Sequence, residues 1–133
     1  MAQGLETKIV RWMEKLFTAN QIYYVNIHGS FLGNQNGIPD FIVTDKTGIF
    51  SGIEVKQPGG HITAAQCRQA QEILKNGGRF VVAVNDFNLD KFLNHELKTK
   101  TITVDTDDME MFDRFNPVKE TFEIILDNEG KTE

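Results

Sequence analysis

The chain has 133 residues, 40% of them hydrophobic, which is enough for one core and too few for a second full domain. Its single cysteine, Cys67, excludes an internal disulfide and a cysteine-rich zinc site, and the three histidines, His28, His61 and His95, have no ligand spacing. Net charge is −5, which at face value opposes a polyanionic partner, but residues 1–100 hold 11 Lys and Arg against 9 Asp and Glu while residues 101–133 hold 3 against 10, so the acid is concentrated in the last quarter.

No apolar stretch approaches the roughly 20 residues of a membrane span, and the N-terminus lacks the hydrophobic region of a signal peptide. With one cysteine, that composition predicts a soluble, cytoplasmic protein without membrane contact. Residues 5–17 predict an amphipathic helix, because Leu5, Ile9, Val10, Trp12, Met13, Leu16 and Phe17 recur at helical spacing. Glu6 breaks the pattern: at roughly 100° per residue it projects between Met13 and Phe17, inside the apolar arc. Either it finds a partner or a metal there, or it is a wet first-turn Glu stabilised by the helix dipole.

Residues 23–27 read as a first strand, and residues 28–37 as a glycine- and asparagine-rich loop whose His28, Ser30 and Asn34 are candidate phosphate contacts; a connector without contacts is the alternative. The strongest functional signal follows. Two β-branched runs, residues 41–44 and 49–55, flank Asp45-Lys46-Thr47-Gly48 and predict an antiparallel hairpin. Folding back at Lys46 and Thr47 sets Asp40 opposite Ile53, or opposite Glu54 if Gly48 forms a bulge. Side chains alternate along a strand, so Ile53 and Val55 point to one face while Glu54 and Lys56 share the other. Two carboxylates beside an ammonium on a half-buried face weaken the fold unless something binds them. Clustered carboxylate oxygens suit Mg²⁺, which keeps several waters and takes the rest of its shell from substrate phosphate. Lys56 can then orient or help deprotonate a water, or offset charge building on phosphate. Pro39 restricts φ ahead of Asp40 and belongs to the scaffold.

Gln57-Pro58-Gly59-Gly60-His61 breaks the strand. Its glycines permit close phosphate approach and make His61 a candidate contact, although a plain strand-to-helix joint accounts for them as well. Thr63-Ala64-Ala65-Gln66 is a capping-box signature opening a helix to about Asn76, with Cys67, Ala70, Ile73 and Leu74 inward. Residues 79–84 form a continuous apolar run, as expected of a strand covered on both faces, and strand, helix and strand make a parallel crossover.

Pro39-Asp40, thirteen intervening residues and Glu54-Val55-Lys56 resemble the PD-(D/E)xK nuclease motif. With Gly37-Ile38 before it, the hairpin, the glycine-rich joint and a helix carrying Gln66 ahead of another strand, the ordered set over roughly residues 5–85 resembles the virus-type replication-repair nuclease (VRR-NUC) domain in its small stand-alone, phage-type form. The resemblance implies a restriction-endonuclease-like α/β fold: an αβββαβ core with a mixed central sheet over about residues 5–85, and an acidic C-terminal α/β extension over about residues 86–133, in one nuclease domain of residues 1–133. It implies an acidic residue on the first helix beside the metal, which is Glu6, and a Gln at the second helix that touches DNA or the catalytic Lys, which is Gln66. The implied catalytic set is Lys56, Asp40, Glu54, Glu6 and Gln66, with Asp40, Glu54, the Val55 carbonyl and Glu6 toward Mg²⁺, for which Mn²⁺ can substitute. The implied activity is a structure-selective DNA endonuclease leaving 5′-phosphate and 3′-hydroxyl ends, foremost a homodimeric resolvase of Holliday junctions, without a nucleotide cofactor. A monomeric flap or nonspecific endonuclease, or a non-catalytic DNA-binding module, is the alternative.

Beyond the matching region, residues 90–98 predict a further amphipathic helix with Phe92, Leu93 and Leu97 inward; its Lys91 and Lys98, with Lys100 beyond, either brush a phosphate or form a solvated face. Residues 102–104 and 121–126 read as strands around a short acidic helical turn. Asp105, Asp107 and Asp108 there imitate a calcium loop but lack its Gly and terminal Glu at proper spacing. This tail is expected to pack on the core or a partner subunit, or to repel DNA from the wrong face.

Overall fold

In the computed structural model, which describes residues 5–29, 37–103 and 119–127, the elements run α1 (Leu5–Ala19), β1 (Tyr24–Asn26), β2 (Phe41–Thr44), β3 (Phe50–Lys56), α2 (Ala64–Lys75), β4 (Arg79–Val84), α3 (Leu89–Leu93), β5 (Lys98–Thr103) and β6 (Glu120–Asp127). The first six reproduce the expected αβββαβ order. Ser30, Asn34 and the acidic stretch with Asp105, Asp107 and Asp108 lie outside the described residues.

The six strands form one mixed sheet in the order β1-β2-β3-β4-β6-β5. The hairpin closes through residues 45–49, with Gly48 at φ 87° where a tight connection needs a left-handed residue. Phe41 pairs with Ile53 and Thr44 with Phe50, so one further step places Asp40 opposite Glu54, the second of the two registers open to the sequence. β3 and β4 run parallel through the α2 crossover, Lys56 pairing with Val84. β4 is buried at all six positions, as a strand covered on both faces must be.

Each face has its own core. Val10, Met13 and Phe17 of α1 pack on Phe41, Val43, Ile53, Val55 and Val81, closed by Phe87 and Phe92. Trp12, although in helical phase with that stripe, stays 42% exposed. On the opposite face Ile62, Cys67 and Ala70 cover Phe80, Val82, Phe122 and Ile124. Full burial of each large side chain contributes about 1.5–3 kcal/mol. Cys67 is core, and burial raises its thiol above the ordinary value.

Two expectations change. The helix predicted over residues 90–98 stops at Leu93: Asn94 caps it, His95 turns left-handed at φ 59°, and Lys98 already opens β5. Thr99 and Thr101 favour a strand, and Leu97 is buried as expected but leads into that strand instead of closing a helical turn. The strand expected over residues 102–104 also begins earlier, since β5 spans Lys98–Thr103, and the extension joins the sheet itself. β6 lies antiparallel against β4 and carries β5 parallel on its far side. Among the described residues no helix is long and apolar enough to cross a membrane.

Candidate active site at the carboxyl end of the central strands

Two close backbone approaches bring Asp40 to the end of β3. A Cβ on Gly52 of β3 would stand 2.7 Å from Pro39 Cγ, so the bare strand there is what lets Pro39 lie flat on the sheet. Gly37, at φ 71°, presses on the backbone of Ala65 at the start of α2, where a Cβ would meet the Ala65 carbonyl carbon at 2.5 Å. Thus anchored on β3 and α2, the segment delivers the Asp40 carboxyl to the point where the β2–β3 ladder ends. There Asp40 Oδ2 accepts the Val55 N–H at 2.8 Å in place of a backbone carbonyl. A strand residue sends its N–H and C=O to the same edge, so the Val55 carbonyl also leaves β3 toward Asp40.

Glu54 and Lys56 share the α2 face, as strand alternation predicts. Gln66 joins them: its Nε2 donates to Glu54 Oε2 at 2.9 Å, and its Oε1 accepts from Lys56 Nζ at 2.9 Å and from the Thr63 N–H at 3.0 Å. The last contact is half of the capping box, with Thr63 Oγ1 accepting the Gln66 N–H at 3.2 Å. One side chain therefore caps α2 and fixes the spacing of Glu54 and Lys56, whose charged atoms stand 4.0 Å apart. The same side chain that completes the capping box thus touches Lys56, the contact expected of it.

Electrostatically the site is strained toward the acid form. Burial first, and the Asp40 charge second, push the Glu54 carboxyl well above its ordinary value. Glu6, in the first turn of α1, is half-buried and raised for the same two reasons in the same order, with Lys56, His28 and a hydrogen bond from the Gln57 backbone opposing. His28 Nδ1 lies 2.8 Å from Asp40 Oδ1, and that hydrogen bond raises the imidazole against the effect of burial. The sequence offered His28 as a phosphate contact; its partner here is Asp40. No periodicity could have revealed the pairing, because His28 follows an edge strand and reaches Asp40 only through the fold. His61 is half-buried in the joint between β3 and α2, two residues before the N-cap Thr63.

Asp40, Glu54 and Gln66 line a cleft of about 150 Å³ bordered by Gly29, Gly37 and Thr63. Its volume suits several waters. Among the described residues, no group of three or more His, Cys, Asp and Glu is gathered closely enough to hold a metal. The donors that do converge are oxygens: two carboxylates and the Val55 carbonyl. Glu54 Oε1 is buried without a hydrogen-bond partner. A buried carboxylate oxygen without a donor, beside a second carboxylate, fits a hard divalent cation that retains much of its water.

A second buried charged cluster, not anticipated from the sequence, occupies the far end of the same strands. Asp45, at the hairpin turn, accepts from Thr47 and Ile49 on one oxygen and lies 3.2 Å from Arg79 Nη1 and 3.1 Å from His95 Nε2 on the other. Arg79 also makes two 3.0 Å bonds to Glu123 and one to the Phe92 carbonyl, with its guanidinium 4.4 Å from the Phe92 ring centre. Every charge there has a partner.

The family profile described as VRR-NUC domain matches residues 3–86, a span holding every described residue of the first cluster. No curated protein matches the chain.

Proposed function

The chain belongs to the VRR-NUC domain family and is therefore a nuclease-type, DNA-processing protein; from that premise we propose a Mg²⁺-dependent, structure-selective endonuclease, most specifically a homodimeric resolvase of four-way DNA junctions. The observation that carries the reading is the pairing of a partnerless buried oxygen on Glu54 with the carboxylate of Asp40 at the mouth of one cleft.

In this reading Asp40, Glu54 and the Val55 carbonyl hold Mg²⁺ or Mn²⁺, with Glu6 near enough to assist. The ion supplies Lewis acidity at the scissile phosphate and a more acidic water. The protein does the rest. Val55 N–H and His28 hold Asp40 in one orientation. Gln66 fixes the spacing of Glu54 and Lys56 and holds the ammonium beside the Glu54 carboxyl, from where it would orient the attacking water and offset charge on the phosphate. In-line attack leaves a 5′-phosphate and a 3′-hydroxyl. His28, His61 and Gln66 are the proposed contacts to the DNA backbone, and Ser30 and Asn34, outside the described residues, remain candidates from the sequence. A junction cut symmetrically needs two such sites, and a second copy of this chain supplies the second. The compartment we propose is the cytoplasm of a bacterial or phage-infected cell.

The test is cleavage of labelled four-way junction, 5′ flap and linear duplex with Mg²⁺, Mn²⁺ or EDTA, repeated with Lys56→Ala, alongside light scattering for subunit number. Paired nicks confined to the junction, lost in EDTA and reduced about 10²–10³-fold by Lys56→Ala, support the reading. Equal cutting of all three substrates by a monomer replaces it with a general nuclease, and intact DNA under every condition leaves a binding module.

A further inference from the structure

The matched region ends near β4, but the sheet does not, and the strands added beyond it carry their own charged opening. Lys56 at the end of β3 pairs with Val84, and Val84 pairs with Glu120 at the start of β6; Lys98 opens β5 opposite Phe122. The candidate active site and the first residues of β5 and β6 therefore share one end of the sheet. Just there an opening of about 180 Å³ is lined by Lys91, Lys98 and Lys119 together with Asp86 and Glu120. All three lysines lie beyond residue 86. None of their ammoniums is within ion-pairing distance of a carboxylate on another described residue. Lys100 is not among them, since its ammonium lies 4.8 Å over the Phe122 ring.

We propose that Lys91, Lys98 and Lys119 form a second phosphate-binding site, which holds the DNA backbone on one side of the bond being cut. The proposal rests on the nuclease reading. Adjacent strands are about 4.8 Å apart, so β6 and β5 stand roughly 10 and 14 Å from β3. That is about three to four nucleotide steps along one strand of duplex DNA. On a chain whose net charge of −5 comes from its last quarter, three lysines around one opening, at the same end of the sheet as the reacting centre, give the polyanion a track beyond the matched region. Such contacts position the duplex and carry no base preference.

The test is DNA binding without cleavage: fluorescence anisotropy of a labelled duplex and a four-way junction, in EDTA and in Ca²⁺, over a KCl series. Lys91→Gln/Lys98→Gln/Lys119→Gln is compared with wild type, with the matching triple Lys→Arg variant, and with a control triple, Lys15→Gln/Lys46→Gln/Lys75→Gln, whose lysines are exposed elsewhere. The expected result is affinity weakened about tenfold or more, with a log–log salt slope shallower by about one per lysine, unchanged circular dichroism, and recovery with Arg. The control triple stays within about twofold. Wild-type affinity and slope in the pocket triple, or equal losses in both triples, overturn the inference and leave the nuclease reading standing. A wild-type protein that binds no DNA in either buffer removes both.

Discussion

At the turn end of β2 and β3, both oxygens of the Asp45 carboxylate face donors, and Arg79 makes two bonds to Glu123. At the other end of the same strands Glu54 has one oxygen bonded by Gln66 and the other bonded by nothing. Both groups are buried, yet the environment holds Asp45 down at about 2, its bonds to Thr47, Ile49 and Arg79 outweighing burial, while burial and Asp40 drive Glu54 upward. A cluster whose charges all find partners inside the fold serves stability. One whose buried carboxylate oxygen lacks a donor, beside a second carboxylate, is less well satisfied even with Lys56 4.0 Å away. The contrast sets a fully partnered cluster against one that is not, without reference to any reaction.

That difference can be broken most forcefully at Arg79. Its replacement by Met takes the guanidinium away from buried Asp45 and half-buried Glu123 and should destabilise the fold by about 3 kcal/mol in urea titrations. Cleavage per folded molecule should not change; a loss under about 1 kcal/mol would mean that the cluster is no scaffold.

The next effect appears on acidification. The folded Asp45 carboxyl lies at about 2 against an ordinary 3.8, so its contribution is complete above the unfolded value and disappears as pH falls from about 4 through 2. The difference is about 2 kcal/mol. Denaturant titrations across that window should show it, and Asp45→Asn should flatten the slope.

Glu54 has the opposite sign. A raised carboxyl favours the fold below its unfolded value and loses that contribution as pH rises from about 4.5 through the folded value. In EDTA at pH 8, Glu54→Gln should therefore be more stable than wild type by about 1 kcal/mol. Added Mg²⁺ should raise the melting temperature of wild type and not that of the variant. A Gln variant less stable than wild type in EDTA would place Glu54 with the satisfied cluster.

The site was legible in the sequence because its determinants are local. Strand alternation put Glu54 and Lys56 on one face, a four-residue capping box announced Gln66, and the hairpin left two registers for Asp40, one of which forms. The scaffold cluster was opaque because Asp45, Arg79, His95 and Glu123 come from four places up to 78 positions apart, and each looks ordinary in its own window. Asp45 resembled any turn acid, and Arg79 the first residue of an apolar run. The short α3 misled for a different reason: Phe92, Leu93 and Leu97 satisfy helical spacing, but His95 takes a left-handed backbone that only the assembled structure reveals.

The placement of β6 between β4 and β5 has a consequence for biosynthesis. β5 leaves the ribosome before β6, but among the described strands its pairing partner is β6, and the outer edge of β4 waits for the same segment. Until residues 120–127 emerge, the growing polypeptide exposes one unzipped β-edge and holds one orphan strand, so these strands join only when β6 has been made, through the sheet's most sequence-distant pairing.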